Sequence, residues 1–204
     1  MILSIVGGAA GVGKTALLEK AAVSAERINT GTLFKRCMSL KKRDDVKKGD
    51  WSVYEADVGK ELANLVLKFA NQGKNVIVDT HFAAKIHDRN YRIGLKEQYL
   101  FDFGISVFKA IKENILVQII LIATSPHSLL NRRKLDKTRD RELIPSDCYN
   151  DLRSNNATSS GYMREMLRAA QKTSDVNRID VKYYCIENNN FETSLTNLKN
   201  ILGG

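Results

Sequence analysis

The sequence is poor in the residues that build metal centres and disulfide frameworks. Its three cysteines, Cys37, Cys148 and Cys185, stand far apart with no Cys-x-x-Cys spacing. That argues against a zinc site or a disulfide scaffold and for free thiols in a reducing cytoplasm. The three histidines, His81, His87 and His127, form no ligand pattern. No apolar run approaches the roughly 18 residues that a membrane span requires, so a membrane partner is not expected. Repeats, low-complexity tails and linkers are absent, and the only two prolines, Pro126 and Pro145, stand where helices are expected to begin. The apolar N-terminus has no basic segment before it and runs directly into a glycine loop, so it reads as structure and not as a cleaved leader.

What is present suits one soluble domain over residues 1–204, with 43% hydrophobic and 27% charged residues. A net charge of +9 calls for anionic partners. Basic residues concentrate at Lys41–Lys48 and Arg132–Arg141. Two local concentrations favour a polyphosphate cleft over the broad basic face that RNA would need.

The most informative stretch comes first. Residues 1–7 (MILSIVG) read as a buried strand, and Gly8-Ala9-Ala10-Gly11-Val12-Gly13-Lys14-Thr15 fits G-x-x-x-x-G-K-[ST] at every fixed position. Good helix formers follow from Ala16. Consecutive backbone N–H groups can wrap a phosphate chain only if the loop turns tightly without side chains in the way. The helix then presents its positive end to the same anion. Lys14 is expected on the β- and γ-phosphates and the Thr15 hydroxyl on Mg²⁺. The ATP-binding set is therefore Gly8 through Thr15 with Ala16.

Further strands are read at Glu26–Thr30, Asn75–Asp79, Leu116–Ala123 and Val181–Ile186. Helices are expected after Thr32 (as cap), after Ser52 (a capping box with Glu55), over Ile105–Glu113, after Ser125-Pro126, after Pro145 and at the C-terminus. Residues 82–103 show poor periodicity and read as a long loop, a common setting for function. Asp79 closes its strand at the carboxyl end, where α/β sheets collect ligands, and is a candidate to hold Mg²⁺ with Thr15. Asn131–Arg141 packs six basic side chains into eleven positions. Arginine's fork matches phosphate oxygens two at a time, so this segment reads as a lid or clamp.

Five strands linked by helices make a doubly wound α/β sheet of the P-loop NTPase class. With the acid-ended strand and the arginine segment, the chain resembles the nucleoside monophosphate kinases, and more narrowly the archaeal-type adenylate kinases. The resemblance is carried by Gly8–Thr15, Ile28-Asn29-Thr30-Gly31, Arg43-Asp44-Asp45, Asp79-Thr80-His81 and Arg132-Arg133 through Arg139-Asp140-Arg141. It implies helices for monophosphate binding over 31–73 and an Arg-rich lid over 132–146. It further implies Mg²⁺-dependent transfer from ATP to AMP. Acceptor contacts would come from Gly31, Arg43, Asp79 and His81. Lys14, Arg133, Arg139 and Arg141 would act on the transferring group, with Arg133 also touching ATP. The resembled family tends to associate, so a homo-oligomer is compatible.

The chain departs from that family at Thr32, where an acid is usual, at Asn156, where an arginine is frequent, and over Lys85–Phe103, which lacks the family's prolines. All three lie on the acceptor or closure side. The alternatives left open are a related P-loop kinase with another acceptor, and an ATP-driven switch that binds RNA or a protein partner.

Overall fold

In the computed structural model, the described residues are 1–21, 23–38, 54–86, 90–93, 95–136, 144–175 and 178–203. The most apolar stretches form the middle of a parallel sheet. β1 (Ile2–Gly7) lies between β3 (Asn75–Asp79) and β6 (Ile115–Ala123), with β2 (Ala25–Asn29) and β7 (Ile179–Glu187) at the edges. All four pairings are parallel, in the order β2-β3-β1-β6-β7. Adjacent side chains of a strand face opposite sides, yet Ile119 and Ile120 are both fully buried, so both faces of the sheet are covered.

Two apolar layers do the covering. On one face, α1 (Lys14–Ala21), α5 (Pro126–Leu135) and α7 (Phe191–Gly203) bury Leu17, Leu129 and Leu198 against Val6 and Ile120. On the other, α2 (Thr30–Cys37), α3 (Glu55–Ala70), α4 (Glu97–Ala110) and α6 (Pro145–Lys172) close over Leu3, Ile5 and Ile119. From β1 the chain runs outward to β2 and β3 on one side, then crosses to β6 and β7 on the other. That reversal makes the carboxyl end of β1 the topological switch point, and the glycine loop begins there.

Several element boundaries differ from those the spacing predicts. α2 begins at Thr30 and is capped by Asn29, whose side chain accepts from Thr32 N at 3.1 Å; Thr32 is not the cap. α3 opens at Glu55 after Tyr54, and Glu55 is a buried carboxylate 3.2 Å from Lys96 Nζ. Ser52 of the expected capping box lies outside the described residues.

The stretch read as a long loop is largely regular. It holds an antiparallel ribbon of β4 (Ala83–Ile86) and β5 (Asn90–Ile93) and the first half of α4. The helix expected over Ile105–Glu113 instead begins at Glu97 and ends at Ala110. In the fold Gly104 is where α4 meets α6: a Cβ there would lie 2.7 Å from the Ala169 Cβ and 3.1 Å from the Met166 Cε.

The cysteines are free thiols, with Cys148 buried. Among the described residues, no helix is long and apolar enough to cross a membrane.

Gly104→Val should therefore force α4 and α6 apart and cost about 2 kcal/mol or more through overpacking. Denaturant unfolding of the variant against the parent measures that loss.

Candidate active site

The glycine loop leaves β1 at Gly8, where a Cβ would stand 2.2 Å from the Ile122 carbonyl oxygen of β6, so only glycine fits. Gly13 has a φ of +93°, a conformation that side chains resist, and delivers the chain into α1 at Lys14. Ala9 and Val12 point inward and are buried, pegging the loop to the core. The loop and the first turn of α1 (Lys14, Thr15, Ala16) wall one side of a cavity of about 250 Å³. Asp79 and His81 line it from the end of β3, and Arg132 and Asp136 from α5 and its C-cap.

Lys14 is buried, and its ammonium donates to Gly8 O at 2.8 Å. His81 Nδ1 lies 2.8 Å from the same carbonyl and 3.2 Å from Lys14 Nζ. A carbonyl only accepts, so a protonated Nδ1 donates to Gly8 O, whereas an unprotonated one accepts from Lys14. His81 thus lines the cavity while standing against the phosphate loop.

Asp79 is buried at the end of β3, where Oδ2 accepts from Arg27 Nη2 at 2.6 Å and from Asn29 Nδ2 at 2.9 Å. β2 pairs with β3 so that Asn29 stands beside Asp79, which gives the short second bond. One residue on, Thr30 Oγ1 donates to Thr80 Oγ1 at 2.9 Å and ties the start of α2 to the cleft wall. Gly31 follows in the first turn of α2.

The arginines of α5 address the loop's carbonyls. Arg132 Nη1 donates to Val12 O at 2.8 Å and its Nη2 to Asn188 O at 2.5 Å. Asn188 Nδ2 donates to the same Val12 oxygen at 2.7 Å. Burial draws the Arg132 guanidinium below its usual value, although arginine starts far enough above neutrality to stay charged. Arg133, 8% exposed, donates from Nε and Nη2 to Ala10 O at 3.0 and 2.8 Å. Its Nη2 also meets Asp151 Oδ2 of α6 at 2.6 Å.

The structure therefore brings Ala10, Gly11, Gly13, Lys14, Thr15, Ala16, Asp79 and His81 together around one cavity, with Arg133 bracing the loop from behind. Arg43, Arg139 and Arg141 lie outside the described residues. Spacing alone did not single out Arg27, Asn29, Asp151 or Asn188. The first three are set by strand pairing and helix packing. The run Asn188-Asn189-Asn190 after a strand was the one sequence signal that could have drawn attention to the last.

A parallel sheet with this loop and lysine at its switch point defines a P-loop kinase fold. The family model described as an AAA domain matches residues 7–147. The adenylate kinase of Thermoplasma acidophilum is 32% identical over 147 residues, covering 68% of this chain and 70% of that one. That of Thermoplasma volcanium is 30% identical over 145 residues, covering 68% and 71%. Among solved structures, a Chloroflexus aurantiacus protein superposes with a TM-score of 0.52 at 12% identity, over 99% of this chain and 96% of that one. A chain of the Pnkp1/Rnl/Hen1 RNA repair complex gives 0.50 at 16% identity, with 78% of this chain spanning 45% of that protein. The chain belongs to this AAA-domain family as an adenylate kinase-like P-loop kinase. It is a kinase-like, nucleotide-binding enzyme.

Removing the Asp151 carboxylate leaves a largely buried guanidinium with no counter-charge in contact, only the Ala10 carbonyl and the weakly accepting Cys148 sulfur. Asp151→Ala should destabilise the fold by about 3 kcal/mol and loosen the loop. Thermal melting with and without ATP checks both effects, and an unchanged midpoint would refute the brace.

Proposed function

We propose that the protein transfers the γ-phosphoryl group of ATP to a nucleoside monophosphate, with AMP the first acceptor to test. Supporting this reading is the meeting of Lys14, Thr15 and Asp79 on one cavity in a chain 32% identical over 147 residues to an adenylate kinase. Thr15 and Asp79 suit Mg²⁺. The Thr15 side chain is exposed at the helix start, and Asp79 has Oδ2 committed while Oδ1 makes no hydrogen bond among the described residues. Magnesium takes one or two protein oxygens and completes its shell with phosphate and water. Bound there, it would offset charge on the β- and γ-phosphates.

The protein's own part is positioning. Lys14 exchanges Gly8 O for a γ-phosphate oxygen, while the loop and α1 N–H groups hold the β-phosphate. The bond from Pγ to the bridging oxygen breaks as an acceptor phosphate oxygen attacks, and no proton need move. Within the single domain 1–204, residues 31–73 act as the monophosphate-binding insertion. Gly31, Arg43 and His81 contact the acceptor beside Asp79. Residues 132–146 act as the lid, through which Arg139 and Arg141 close over the transferring group while Arg133 stays behind the loop as its brace.

The test is incubation with ATP, Mg²⁺ and each nucleoside monophosphate in turn, measuring diphosphates. ADP from AMP is expected, falling by about a hundredfold or more in Lys14→Ala. Transfer to another monophosphate keeps the mechanism and changes the acceptor. ATP binding without transfer to any of them overturns the reading, and salt-dependent RNA binding would then favour a switch.

A further inference from the structure

The β4–β5 ribbon starts two residues after His81, beside the cleft. It occupies the stretch where the sequence departs from the family it resembles. α6 holds it at its open base, where Ala83 of β4 pairs with Ile93 of β5. At its first residue, Ala83 N donates to Asn155 Oδ1 at 3.1 Å, and Asn155 Nδ2 donates back to Ala83 O at 3.1 Å. The amide pairs with the ribbon's backbone as a neighbouring strand would. The same Nδ2 donates to Asp151 O at 2.8 Å, which fixes its rotamer. At the same base, two residues after Ile93 leaves the second strand, Leu95 N donates to Tyr162 Oη at 2.9 Å. The Tyr162 ring packs edge-on against Phe82, with centroids 4.9 Å apart at 67°.

Asn155 and Tyr162 are each 2% exposed and stand seven residues apart on α6, hence on one face. Burying an amide and a phenol is costly, and apolar side chains would fill the same space with less penalty. What the polar groups add is direction, since each fixes the backbone of one of the ribbon's two strands at its base. Burial also drives the Tyr162 phenol far above its ordinary range, and the Thr80 hydroxyl beside it connects it to the cleft wall. Asp151, one turn before Asn155, holds Arg133 on the phosphate loop. One helix face thus braces the donor loop and the ribbon together.

We propose that Asn155 and Tyr162 are positioning residues that hold the β4–β5 ribbon as a wall of the acceptor site and so set which acceptor is taken. This rests on the phosphotransferase reading above. Neither side chain touches the reacting atoms. A ribbon released from α6 would have to be ordered by the acceptor itself, which raises the acceptor's KM and leaves ATP binding alone.

The experiment compares parent, Asn155→Ala and Tyr162→Phe with ATP and each monophosphate. Asn155→Ala should raise the acceptor KM by about tenfold, with the ATP KM within about twofold and the preference among monophosphates shifted. Tyr162→Phe keeps the ring on Phe82 and loses only the hydroxyl, so it should fold normally and move the same quantities less. That variant stays decisive even if Asn155→Ala melts early. The proposal fails if Tyr162→Phe leaves acceptor KM and preference unchanged, or if ATP and acceptor KM rise together. A parent enzyme that transfers to no monophosphate fails in the first control, removing the phosphotransferase reading and this proposal with it.

Discussion

A loop that turns its N–H groups inward to receive phosphate must turn carbonyls outward, and those carbonyls need donors. The rest of the site depends on how that requirement is met. Gly8 O is met by Lys14, joined by His81 when Nδ1 carries a proton, Ala10 O by Arg133, and Val12 O by Arg132 and Asn188. Gly13 O takes the first helical bond, from Leu17 N. Three of these donors are permanent or near-permanent cations. The groups that satisfy the loop's backbone therefore also set the positive potential that a polyphosphate meets.

The same requirement explains why elements distant in sequence converge. Arg132 and Arg133 come from α5, Asn188 from the turn after β7, His81 from the end of β3 and Asp151 from α6. The first four reach the loop, and Asp151 reaches it through Arg133, because the doubly wound sheet gathers its carboxyl ends at one edge. Neighbouring arginines take different duties there. Arg132 lines the cavity, whereas Arg133 is locked between a loop carbonyl and a carboxylate. One residue of helical advance rotates a side chain by about 100°, enough to separate a cleft-facing group from a bracing one.

Legibility in the sequence followed the range of the interactions. β1, β3 and β6 were plain because a strand buried on both faces reads as a continuous apolar run, and the glycine loop was plain because its constraint is local. Asp79 was visible as an acid closing a strand, but the hold that Arg27 and Asn29 have on it was not. Their roles arise from β2 lying in register with β3, a pairing across about fifty residues that no local pattern encodes. α4 was half missed for a related reason. Gly104 looks like an interruption when only its own helix is considered, and becomes a contact surface once Ala169 is placed against it. The ribbon was lost because its four-residue strands carry too little periodicity to stand out from a loop.

These contacts also constrain how the site can change on binding. Lys14 and Arg132 reach the loop from the cavity side, where phosphate oxygens can replace carbonyls as acceptors with little loss, since charge-assisted bonds to an anion are the stronger ones. Arg133 cannot exchange so freely, because moving it would leave the Asp151 carboxylate without its cation. Motion is thus least costly in the cavity-lining side chains and most costly in the brace behind them. A phosphate loop that must keep one shape through successive ligands is best served by that division, with exchangeable cations in front and a fixed one behind.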